Sequence, residues 1–102
     1  MDMNEIMRQA QQMQQKMSQV QNELAGRTVT ASVGGGMVSV TLNGKNELLS
    51  VQIDREVINP EDREMLQDLI VSAVNEGLKK AQDMAQAEMR KITGGINIPG
   101  IL

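Results

Sequence analysis

The chain has 102 residues, ten Lys and Arg against thirteen Asp and Glu, and a net charge of -3. It lacks Cys, His, Trp, Tyr and Phe, which removes disulfides, thiolate zinc sites, the usual general base, the commonest transition-metal ligands, and the aromatic rings on which single-stranded nucleic acid stacks. One small domain spanning 1-102 is expected, neither enzyme nor metal protein, with no cofactor and no small-molecule substrate.

Residues 2-25, DMNEIMRQAQQMQQKMSQVQNELA, contain no Gly or Pro. Met3, Ile6, Ala10, Met13, Met17, Val20 and Leu24 recur at alternating spacings of three and four, the a and d positions of a heptad seam. The spacing predicts a helix about 36 Å long, more than a small sheet can cover, so part of it projects as an arm in need of a partner helix. Gly26 is expected to end it as a left-handed C′ residue.

A three-stranded antiparallel meander is predicted over 27-54. RTVTASV places Val29, Ala31 and Val33 on one face, and Gly34-Gly35-Gly36 turns the chain. Val38, Val40 and Leu42 then alternate with polar residues, as do Leu49, Val51 and Ile53, with Asn43-Gly44 as the tight turn between them. The triple glycine lies between strands and precedes neither a helix nor a Lys-Ser/Thr pair, so it is read as a turn rather than a phosphate cradle.

Asn59 is a good N-cap, Pro60 a good first helical residue, and Glu61, Asp62 and Glu64 suit the positive end of a helix dipole. A long helix is predicted over 60-92, with Leu66, Leu69, Ile70, Ala73, Val74, Leu78 and Ala81 forming the stripe that packs on the sheet. Beyond Ala81 the stripe thins to Met84, Ala85 and Met89, which marks a second arm. The end, 93-102 (TGGINIPGIL), is expected to be a flexible apolar tail. No run of about 18 apolar residues and no signal-peptide pattern occur, so neither membrane contact nor export is expected, and the cytoplasm is the expected location.

The expected fold class is α+β: helix, three-stranded antiparallel meander, long helix. Such a chain buries little and leaves two sheet edges open, so a homodimer is expected, tweezer-like, with paired helical arms projecting from a sheet base. Residues 54-68 hold six acids and two arginines, whereas 78-91 hold four cations and two acids. The arms are thus less acidic than the base. A solvated helix face accounts equally for these charges. Carboxylates at Asp54, Glu56, Glu61, Asp62 and Glu64 are read as helix-dipole partners rather than a catalytic or metal site.

The Met- and Gln-rich opening MRQAQQMQQKM, the hairpin GGGMVSVTLNGKNELLSVQID, the helix EMLQDLIVSAVNEGLKKAQ and the closing ITGG with PG together resemble the YbaB/EbfC family of bacterial nucleoid-associated proteins. The resemblance covers nearly the whole chain. It implies a cytoplasmic, nucleoid-located homodimer that binds double-stranded DNA with low sequence specificity, alters its conformation and contributes to nucleoid organisation and gene regulation. On that reading Arg8, Lys16, Lys79, Lys80, Arg90 and Lys91 contact phosphates, and Gln12, Gln15 and Gln19 add polar contacts. The alternative is a prefoldin-like protein-binding module whose arms hold clients with Met3, Met7, Met13, Met17, Met84 and Met89.

Overall fold

Asp2 opens the first helix from an extended backbone, its carboxylate accepting the Asn4 N–H at 3.2 Å, which satisfies a donor the helix itself cannot. In the computed structural model, which describes residues 2-93, this helix (α1) is Met3–Gly26. The tail expected over 93-102 lies, from residue 94 on, outside the described residues. Gly26 does not leave the helix in the left-handed region; it is the last helical residue, and the extended Arg27 follows. The Arg27 N–H donates to the Leu24 carbonyl at 3.2 Å, a tightened final turn that makes a left-handed exit unnecessary.

The sheet is a meander of β1 (Thr28–Val33), β2 (Val38–Asn43) and β3 (Leu48–Ile53), in that order and antiparallel. Gly34, Gly35 and Gly36 all take positive φ (64, 67 and 94°), a backbone that glycine adopts without strain. Register places Val29 opposite Leu42, Ala31 opposite Val40 and Val33 opposite Val38, so the apolar faces of β1 and β2 are continuous. On the other face the hydroxyls of Thr30 and Thr41, and of Ser32 and Ser39, pair across the strands.

The second hairpin differs from its expected form. Gly44 is not in the positive-φ region; Asn46 is, at 64°. Asn43 is buried, and its side chain organises a longer loop: Oδ1 accepts the N–H of Lys45 at 2.9 Å and of Glu47 at 3.0 Å, while Nδ2 donates to the Glu47 carboxylate at 3.0 Å. Gly44 is needed for proximity instead. Its N–H donates to Leu24 O at 2.8 Å, and a Cβ there would lie 2.7 Å from both Leu24 Cβ and Leu24 O. This contact ties the hairpin tip to the end of α1. The longer loop also shifts register, because Leu42 pairs with Leu48 and Thr41 with Ser50, leaving Leu49 as an extra residue that breaks the expected alternation.

Asp54 caps a short 3-10 turn at Arg55–Val57, and Asn59 caps another at Pro60–Asp62, its Oδ1 accepting the Glu61 N–H at 3.0 Å. The second helix proper, α2 (Arg63–Thr93), continues from there. The expected start at Pro60 thus falls on a 3-10 turn that leads into the α-helix.

The core consists of Ala31, Val38, Val40 and Leu42 from the sheet and Ala73 and Ala81 from α2, with Leu66, Leu69, Ile70, Val74 and Leu78 packed around them. Gly77, absent from the expected stripe, lies at its centre: a Cβ there would meet Leu42 Cδ1 at 2.2 Å and Val40 Cγ2 at 3.0 Å. α2 therefore seats closely over β1 and β2. β3 stays largely exposed, with Leu48, Leu49 and Val51 open to solvent.

Past the sheet, α2 meets only the C-terminal part of α1. Leu24 is buried and Val20 half-buried, whereas Met3, Ile6, Met13 and Met17 are exposed. Among the described residues, Val20 and Leu24 are thus the seam positions that are not exposed. The result is elongated, with extents of 69 × 24 × 17 Å.

Gly77→Ala should improve helix propensity by about 1 kcal/mol. The methyl has no space, however, since Leu42 is fully buried and cannot swing away, and overpacking costs about 1–3 kcal/mol. The expected outcome is a lower melting temperature, measured by circular dichroism, and a larger drop for Gly77→Val.

Candidate nucleic-acid interface

The cations predicted to meet phosphate fall into three settings. Arg8 lies on the free half of α1, 3.9 Å from Glu5 one turn back and highly exposed; such a pair binds its partner weakly and leaves the guanidinium accessible. Lys79 and Arg90, about three turns apart, occupy one solvent-facing line of α2 with Asp83 and Gln86 between them. Lys16 and Lys91 come together where the two helices cross, lining a shallow hollow with Val20, Glu23 and Glu88. Lys80 is engaged elsewhere, its Nζ donating to the Thr30 carbonyl of edge strand β1 at 3.0 Å.

Glu88 organises the crossing. Its carboxylate accepts Lys91 Nζ at 3.1 Å and pairs with the guanidinium of Arg27, which reaches it from the end of α1. Its side chain is only 13% exposed. Hydrogen bonds from Lys91 first and Arg27 second hold the Glu88 carboxyl below the usual carboxylate range. Arg27 is not among the expected site residues. Its partner lies 61 positions away, and no spacing rule connects residues so far apart. Lys91 is therefore part of the clamp as well as of the cationic surface.

A charge-free polar groove runs along α1, lined by Gln11, Gln14, Gln15, Ser18, Gln19 and Asn22. Gln15 and Gln19 belong to it; Gln12 does not. Among the described residues no group of three or more Asp or Glu is placed to hold a metal ion, and no helix is long and apolar enough to cross a membrane. The chemistry available is hydrogen bonding and charge on extended helix faces.

A small sheet carrying two helices that run beyond it defines an α+β protein with projecting helical arms. Its sequence places it more narrowly: the profile of the YbaB/EbfC DNA-binding family matches residues 1–96, and the chain belongs to that family. It is 61% identical over 95 residues to a nucleoid-associated protein of Syntrophobacter fumaroxidans, covering 93% of this chain and 86% of that one. A nucleoid-associated protein of Pelotomaculum thermopropionicum is 53% identical over 100 residues, covering 98% and 95%. The crystal structure of an uncharacterized protein from Helicobacter pylori superposes with a TM-score of 0.83 at 32% identity, over 92% of this chain and 99% of that one.

Because Glu88 is held low in the folded chain, its stabilising contribution is complete above the ordinary carboxylate value of about 4.3 and is lost as pH falls through the lower native value. Glu88→Gln should therefore be less stable than the parent near neutral pH, and the difference should close on acidification. Urea unfolding followed at neutral and acid pH checks this.

Proposed function

We propose that the chain acts as a nucleoid-associated protein, binding double-stranded DNA as a homodimer whose arms contact phosphates through Arg8, Lys16, Lys79 and Arg90. Lys91 shares this role with its clamp contact to Glu88, and Lys80 with its contact to β1. The observation that carries the reading is the segregation of charge along α2. The acidic segment 54-68 lies at one end, and the cations begin at Lys79, about 16 Å beyond Asp68 along α2, and end at Arg90 and Lys91, about 33 Å beyond it. Contacts of this kind fix position on the duplex and carry little sequence information, so low sequence specificity is expected, with any preference arising from duplex shape.

The homodimer reading is supported by β3. It is an edge strand whose Leu48, Leu49 and Val51 are exposed, as is Ile58 five residues beyond the strand's end. The other edge is occupied in part by Lys80, and lysine on an edge discourages strand pairing. A second copy across β3 would cover the apolar residues and set two pairs of arms on one base. A second reading, capture of unfolded protein, is favoured by the exposed Met3, Met7, Met13 and Met17.

Fluorescence anisotropy of a labelled duplex across a salt series tests the DNA reading. Affinity should fall steeply with salt. Arg8→Ala with Lys79→Ala should weaken binding to all sequences about equally and flatten the log-log slope by about one for each phosphate no longer neutralised. Absence of binding at low salt, with suppression of client aggregation instead, would favour the second reading. Val51→Glu should lower the solution mass below that of the parent at equal concentration and weaken DNA binding by removing avidity. An unchanged mass would place the interface elsewhere.

A further inference from the structure

We propose that the free half of the α1 seam, from Met3 to Met17, pairs antiparallel with the same seam of a second copy and so links dimers through their arms. The seam follows heptad spacing along the whole of α1, yet among the described residues only its Val20 and Leu24 are not exposed. Met3 is 72% exposed, Ile6 46%, Met13 45% and Met17 36%. The uncovered stretch is about 21 Å long, and a helix of that length standing alone in water is marginal. It gains most by burying this seam against another helix.

The seam is complementary to itself. In an antiparallel pair, a positions face d positions, so Ala10 of one copy lies against Met13 of the other, and Ile6 against Met17. A small residue opposes a long flexible one in the central layers, and twofold symmetry makes every contact twice. Charge selects the orientation. Asp2 and Glu5 stand at one end of the stretch and Lys16 at the other, so antiparallel pairing brings unlike ends together whereas parallel pairing sets acid beside acid. Arg8, two residues beyond Ile6, sits on the side of the helix away from the seam and keeps its access to solvent. Each homodimer offers two such arms, so the same interface carries assembly beyond two copies.

Sedimentation velocity over a wide concentration range tests the proposal in the full chain. The parent protein should grow beyond two copies as concentration rises. Ile6→Glu with Met13→Glu should stop at two copies, and adding Val51→Glu to that pair should give single protomers, which separates this interface from the one at β3. The chain has no native cysteine, so orientation can be read from disulfides: a mixture of Ala10→Cys and Met13→Cys proteins should cross-link to each other faster than Met13→Cys cross-links to itself. A parent that never exceeds two copies, an Ile6→Glu/Met13→Glu protein that assembles like the parent, or preferential Met13→Cys self-linkage would each overturn the proposal. So would stronger association after removal of residues 96–102, because the chain's own apolar end would then be the occupant of the seam.

Discussion

The close seating of α2 on β2 is the constraint on which the rest of the structure depends. A chain without aromatics lacks the side chains that bury 150–250 Å² apiece, by the usual rough measure, and must form its core from aliphatic residues in close contact. Here Ala73, Gly77 and Ala81, one turn apart along α2, leave room for Val40 and Leu42, and Leu42 Cδ1 occupies the space a side chain at 77 would take. A helix seated that deeply covers two strands. β3 is left with an apolar face open to solvent, and α2, its direction set by the sheet, runs on past it. The exposed face of β3 and the projecting arm are thus two consequences of one packing arrangement.

The arm is then aligned by charge rather than by hydrophobic area. Only Val20 and Leu24 of the α1 seam are covered, so little apolar surface fixes the angle between the helices. Glu88 compensates by joining Arg27 at the α1–β1 junction to Lys91 on its own helix, and the Gly44–Leu24 hydrogen bond ties the same junction to the hairpin tip. Both contacts act at the base of the arm, where a small angular change would move the tip most. The clamp also commits Arg27 and Lys91 to holding the arm.

Features set by neighbouring residues are legible in the sequence, and features set by distant ones are not. The Asn59-Pro60-Glu61 start, the triple-glycine turn and the alternation of Val38, Val40 and Leu42 all follow from local backbone preference, and each appears in the structure. Gly77 carries no local signal, because its reason lies across the core in Leu42. Asn43-Gly44 reads as a two-residue turn because the signal is the same dipeptide, yet Gly44 answers to the approach of Leu24 and Asn43 to the loop beyond it. The bulge at Leu49 follows from that longer loop and is equally hidden. For the site, residue types and the arm location are readable from charge and periodicity. That Lys80 is held at the β1 edge and that Arg27 reaches Glu88 depend on contacts 50 and 61 positions apart.

An acidic chain can serve as the proposed DNA partner because its charges are not averaged over the molecule. Fields in physiological salt fall off over about 8 Å, whereas segment 54-68 and the cations near Arg90 are several times farther apart along α2. A duplex at the arms would meet the local surface, in which cations outnumber acids, while the acidic base would repel the same duplex from the sheet. The local excess is small all the same, so one protomer binding alone would be weak. Pairing protomers through β3 and linking arms through the α1 seam would raise affinity by multiplying modest contacts rather than by strengthening any one of them. In that arrangement the uncharged Gln face of α1 has a clear advantage over a lysine-rich one: like-charged helices would resist being brought together, whereas amides allow it.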